Sequence, residues 1–369
     1  MVYLGKEISE KQRTYRVVTM VMFAVAVLTL CARMLVGVFP DSMPELALDA
    51  VFSVIVQCLI LFLLPFLAYK FLLKKNVREI AEFSNMRKIK WYYLVLAAGV
   101  GVCVFIATIG VSALWQGILA NTGYVHSSSS MDYPKKFNVG MFIAEMALTA
   151  LLPAICEEFC VRGGVLTTMR GSYRYIAVLW IMAAVFGLFH QNITQVFYTA
   201  CFGMLMAFLT IKMNSIFPAM IIHFVNNGAS VYITYADEYK WAFLGNFYDE
   251  IDKGLTSDSS KILSLYLIFV LIGAGLVLLM LFLKKKEHLK KQKEIILDSG
   301  FDQTHGRVVM MGAENKKLVE EIGMEQMVYG DAYAPEALYR PTTRDNAFLV
   351  GATVVTVLST IATYIWGLM

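Results

Sequence analysis

Nine apolar runs, separated by short polar connections, leave this chain few ways to fold. Most are about 17–30 residues long, the length that crosses a bilayer as a helix. They lie at about Tyr15–Val38, Ala50–Leu73, Trp91–Ala120, Phe137–Met169, Tyr175–His190, Thr194–Ile211, Ser215–Tyr235, Lys261–Leu283 and Ala347–Leu368. With 58% hydrophobic and 16% charged residues in 369, the chain does not have a soluble globular composition. The expected fold is all-α: a polytopic transmembrane bundle of eight core helices plus a C-terminal ninth. Pro65 and Pro153 fall inside runs and predict kinks. The polar stretch Met1–Arg16 precedes a run too long for a signal peptide, and no small-residue cleavage site follows. All six cysteines lie within apolar runs and read as small packing residues rather than a disulfide framework.

The net charge of +4 carries less information than its distribution. Lys and Arg gather in the N-terminal arm, the 70–90 loop, the Arg170–Arg174 turn, at Lys212 and in the Lys284–Lys293 run. With alternating crossings these all fall on one side, which the positive-inside rule makes cytoplasmic. The acidic 236–260 loop and the 39–48 loop fall on the other side. The expectation is an integral protein of a bacterial plasma membrane with a cytoplasmic N-terminus. The coarse divisions are 1–90 (two helices and a basic loop), 91–240 (the core), 241–285 (an acidic loop and the eighth helix), 286–346 (a polar cytoplasmic segment) and 347–369 (the last helix). The hydroxyl stripe Thr353, Thr356, Thr360 and Thr363 on that helix suits interhelical packing. The polybasic run suits anionic headgroups or a plain stop-transfer signal.

The chemistry concentrates in the fourth run, at Cys156-Glu157-Glu158-Phe159-Cys160-Val161-Arg162. A charge inside a membrane costs about 2.5–3.5 kcal/mol on insertion scales, so it is kept when paired, solvated or used. Glu158 and Arg162 are four apart and share a helix face, the spacing of an ion pair. Glu157 is rotated about 100° away and is free to point into a cavity. The spacing therefore predicts one structural and one working glutamate. Two of the five histidines also fall in apolar runs: His190 ends Phe186-Gly187-Leu188-Phe189-His190, and His223 is four residues before Asn227. A carboxylate, two imidazoles and an amide suit hydrolysis of an amide bond by activated water. The same groups are also ordinary Zn²⁺ ligands. Glu157 lies deep in its run and His190 near the outer end of the next. They meet only if the fourth helix is long and tilted and the hairpin of the fifth and sixth is short.

Glu-Glu-x-x-x-Arg, Phe-x-x-x-His and His-x-x-x-Asn, in that order on successive membrane helices, resemble the CPBP or ABI intramembrane proteases related to the type II CAAX prenyl endopeptidase. The likeness covers about residues 90–240. It implies that Glu157, His190, His223 and Asn227 are the catalytic groups, that Glu158 and Arg162 complete the first motif, and that the cavity opens to the cytoplasm. The implied function is an intramembrane endopeptidase. Its partners would be membrane lipid and a protein or peptide substrate, with or without a lipid modification, and no nucleic acid. The cofactor is either none or Zn²⁺ held by Glu157, His190 and His223. Two rivals keep the same residues: a non-catalytic scaffold or bacteriocin-immunity protein, and a proton-coupled transporter. Intact hydrolytic motifs and the lack of an evident inverted repeat weigh against the transporter.

Overall fold

Lipid offers a backbone no hydrogen-bond partners, so apolar runs of this length close their own bonds as helices. The computed structural model of the chain describes residues 2–36, 39, 43–125, 133–247, 249–251, 253, 259–298 and 339–368. The Ser127–Ser130 run, residues 254–258 of the acidic loop and most of the polar 286–346 segment lie outside the described residues. No strand occurs among the described residues.

The long helices are α1 (Val2–Val36), α2 (Leu46–Leu72), α4 (Trp91–Ala120), α5 (Val139–Arg170), α6 (Tyr175–Phe189), α7 (Ile193–Met213), α8 (Phe217–Glu238), α9 (Ser259–Asp298) and α10 (Ala347–Trp366). They correspond one to one with the nine runs. Seven are long and apolar enough to cross a membrane. The exceptions are α6, whose 15 residues reach only about 22 Å, and α8. Helix α8 has length enough at 22 residues, but His223, Asn226, Asn227, Ser230 and Thr234 dilute its hydropathy.

Three boundaries differ from expectation. Helix α1 extends back through the polar arm, whose Lys, Glu, Gln and Arg are good helix formers. Helix α9 runs without a break through the polybasic stretch for 40 residues. Within the basic 70–90 loop, a short helix α3 (Val77–Phe83) starts at a capping box. The Asn76 side chain accepts from the Glu79 N–H at 3.0 Å, and the Glu79 carboxylate accepts from the Asn76 N–H at 2.7 Å. The cysteines also divide: Cys103, Cys156 and Cys160 are buried, whereas Cys31 and Cys201 are exposed.

Both internal prolines sit just beyond π-helical turns. Val54–Leu63 precedes Pro65, and Met146–Leu151 precedes Pro153. Proline has no N–H and crowds the carbonyl four residues back, and an i→i+5 register relieves both problems. A further π segment, Phe159–Val165, follows Glu158 directly. Helix α5 is thus α-helical only briefly around its glutamates, between two widened stretches.

Helix α5 packs on α2 and α8, α4 on α8 and α9, and α1 on α10. Lipid gives helices no hydrophobic reason to associate, so close approach over small residues does much of the holding. The α6–α7 hairpin uses it from both sides. A Cβ on Gly187 would lie 2.7 Å from the Val196 carbonyl, and one on Gly203 would lie 2.6 Å from Phe186 Cβ.

Candidate active site

Helix α5 is 32 residues long, about 48 Å against a hydrocarbon core of about 30 Å. Helix α6 stops short. That pair of lengths lets Glu157, deep in α5, share a wall with His190, which ends α6.

Adjacent glutamates on one helix face different neighbours. Glu158 is fully buried, and its Oε1 is shared: Arg162 Nη1 donates at 3.0 Å and His223 Nδ1 lies at 2.9 Å. Arg162 is also fully buried. Its Nη2 donates to the Gly203 carbonyl at 3.3 Å, and its guanidinium lies 4.1 Å from the centre of the Phe186 ring. Phe186 and Phe202 present ring edges toward His223 at 5.9 and 5.6 Å between centroids. An ionised Glu158 accepts from Nδ1–H of His223, which leaves Nε2 as the free end of that ring.

Glu157 faces the other way, into a cavity of about 110 Å³ that it lines with His190, Gln57 and Arg33. Roughly 10–15 Å³ suffices for one water, so this space takes several. Gln57 Nε2 donates to Glu157 Oε1 at 2.9 Å. His190 Nδ1 lies 2.7 Å from the Phe186 carbonyl, and a carbonyl can only accept. Nδ1 therefore carries the proton, and Nε2 has its lone pair available. Arg33 Nη2 donates to the His190 carbonyl at 2.7 Å, holding the end of α6 in place.

Asn227 is set apart. Its Nδ2 donates to the Thr149 carbonyl at 3.1 Å and its Oδ1 accepts from Asn226 at 3.0 Å. It lines a larger cavity, of about 660 Å³, between α4, α5, α7 and α8. Tyr198 on that wall is within electrostatic reach of Glu157, so the two cavities approach each other near the glutamates.

Sequence reasoning missed Gln57 and Arg33. Both are lone polar residues in apolar runs, a signal as readable as the histidines. Among the described residues no three His, Cys, Asp or Glu side chains converge as a group able to hold a metal. Glu157, His190 and His223 do not form such a set.

Residues 139–229 match the family model of the Rce1-like type II CAAX prenyl endopeptidases. No curated protein and no solved structure matches the chain. The match spans α5 to most of α8, so it contains Glu157, Glu158, Arg162, His190, His223 and Asn227. About a quarter of this membrane protein, residues 139–229, is therefore similar to the Rce1-like type II CAAX prenyl endopeptidases.

Proposed function

We propose that the chain is an intramembrane endopeptidase that hydrolyses a peptide bond with water activated between Glu157 and His190. The observation that carries this reading is their placement on one cavity large enough for several waters, with the second glutamate turned away and paired with Arg162. Nε2 of His190 takes the proton from water while the free oxygen of Glu157 holds the water's second hydrogen. Glu158 orients His223 and stabilises its imidazolium form, as a buried carboxylate does behind a catalytic histidine. His223 then donates from Nε2, and Asn227 from its remaining N–H, to the developing oxyanion. The proton held by His190 finally passes to the leaving amine. Substrate would enter as an extended, membrane-associated peptide, with or without a lipid, and the basic loops would face the cytoplasm.

The test uses the purified full chain in lipid nanodiscs. Cleavage of membrane-associated peptides by wild type, and loss on the order of 10²–10⁴ in Glu157→Ala and His190→Ala, is the expected result. Equal cleavage by the variants would overturn the assignment. Chelation with metal content measured on the same sample separates the direct route from the zinc alternative. Full activity in metal-free protein supports the direct route; activity that returns only with stoichiometric Zn²⁺ overturns it.

A further inference from the structure

The cavity beside Asn227 holds a carboxylate that the hydrolytic scheme does not use. Glu145 lies on α5 three turns before Glu157, is only 8% exposed, and lines that cavity with Gln116, Thr149, Asn226, Asn227 and Ser230. Its Oε2 is buried and makes no hydrogen bond within 3.5 Å; the hydroxyls of Tyr133 and Tyr235 stand beside the carboxylate, but both are neutral and neither supplies a positive charge. A buried acceptor left unmade costs free energy, and a carboxylate inside a membrane segment costs more. Glu158, on the same helix, differs in charge: its Oε2 also lacks a partner, but its Oε1 is paired with the Arg162 guanidinium and lies 2.9 Å from His223 Nδ1.

The charge that would satisfy Glu145 is thus supplied from outside the fold, and the cavity is where it would arrive. At about 660 Å³ the space is within the range of ligand pockets, roughly 300–1,000 Å³, and admits a short stretch of peptide. Its wall mixes amide and hydroxyl groups with apolar surface, which suits a ligand that is both hydrogen-bonding and partly apolar, as a peptide is. The site is also coupled to the proposed oxyanion group. Asn227 donates to the carbonyl of Thr149, and the Thr149 hydroxyl donates to the carbonyl of Glu145 at 2.7 Å. One helical turn, about 6 Å along the axis, separates Thr149 from Glu145. An extended peptide advances about 3.3 Å per residue.

We propose that Glu145 anchors a specificity subsite that binds the ammonium or guanidinium group of a basic residue in the substrate. That residue would lie about two or three positions from the scissile bond. The inference rests on the protease reading, and it assigns to that reading a preference for basic peptides.

The test measures binding apart from cleavage. The full-length Glu157→Ala protein, in phosphatidylcholine nanodiscs, is titrated into a fluorescein-labelled nine-residue peptide of Leu, Ala and Ser with one central Lys. A twin peptide carries norleucine instead, and empty nanodiscs give the background. The lysine peptide is expected to bind about tenfold more tightly than its twin, the scale of one retained charge pair. Adding Glu145→Gln should bring the ratio near one, and Glu145→Asp should retain part of it. Should Glu145→Gln fail to fold, Ser230→Lys places an ammonium in the same cavity and should abolish the ratio too. Equal binding of the two peptides, or a ratio unchanged by either substitution, overturns the subsite. A ratio that collapses in sodium buffer and returns in choline buffer overturns it as well, because sodium would then be the resident cation. Catalytic failure with the binding preference intact would instead count against the protease reading alone.

Discussion

Two neighbouring carboxylates at 157 and 158 receive opposite surroundings, and the variants at each should fail differently. Glu158→Ala or Arg162→Ala leaves a fully buried charge without its partner, a loss of about 3–5 kcal/mol. Little folded protein should survive purification, as read by size-exclusion yield and thermal unfolding. Glu157→Ala removes a group that faces a cavity, so yield should stay at the wild-type level while peptide cleavage disappears. Loss of yield in Glu157→Ala equal to that of Glu158→Ala would contradict this division. Gln57→Leu takes the donor from Glu157 Oε1 without touching the ion pair. It is expected to lower kcat about tenfold with KM nearly unchanged, since the donor orients the base and does not contact substrate. The different surroundings of Glu157 and Glu158 were legible from 100° per residue and from the four-residue step to Arg162. The third partner of the cluster, His223, was not, because pairing between α5 and α8 is a matter of tertiary packing and not of spacing.

At the level of the helix, hydropathy marked all nine long helices, and the proline positions marked where two of them are irregular. The form of the irregularity was not legible. Whether a proline produces a kink or a π turn depends on what the widened backbone packs against. The further π segment of α5, Phe159–Val165, packs on Tyr69 of α2, whose hydroxyl occupies the place where a side chain at Gly164 would be, with Cζ 2.8 Å from that point. Gly163 meets Ser84 Cβ in the same way at 2.8 Å. The two glycines admit α2 and the chain after α3 against the π segment that carries Arg162. Gly164→Ala should therefore push α2 away and reduce folded yield sharply. Tyr69→Phe removes the nearest obstructing atom and should restore part of that loss in the double variant. A Gly164→Ala protein with wild-type yield and melting temperature would show that this contact is not tight. Helix α8 was the harder one to recognise by hydropathy because the polar residues that dilute it line the candidate site and the large cavity.

For the molecule as a whole, the C-terminal segment lies beyond the matched 139–229 region yet is tied to the helices that hold the site. The Tyr339 N–H donates to the Gly171 carbonyl at 2.9 Å, after α5. In α10, Thr353, Thr356 and Thr360 bond back to their own helix, but Thr363 accepts from the Ile193 N–H at 2.9 Å and so caps α7. Between these two points Asp345, with no exposed side chain, joins α10 to α1. Its Oδ1 meets Arg16 Nε at 2.5 Å and Gln12 Nε2 at 3.2 Å, and its Oδ2 accepts from Thr342 N–H at 2.9 Å and from the Tyr339 hydroxyl. Helix α1 in turn supplies Arg33 to the end of α6, so a fault at residue 345 has a route to His190. Desolvation alone would raise the Asp345 pKa, but the Thr342 and Tyr339 hydrogen bonds and Arg16 outweigh it and hold the carboxyl well below the usual carboxylate range. A folded-state pKa depressed below the unfolded one, about 3.9, gives stabilisation that is fully present above that value. It is lost only as pH falls through the lower, folded pKa. Asp345→Asn turns an N–H toward donors and discards the charge at every pH. Its melting temperature should lie below wild type by a constant margin from pH 7 to about 5, and the margin should narrow once the pH drops below about 4. Thermal unfolding of both proteins in nanodiscs across that range measures it. Coincident curves at pH 7 would mean that α10 is held to α1 by apolar packing alone and that the buried aspartate contributes nothing to the closure of the bundle.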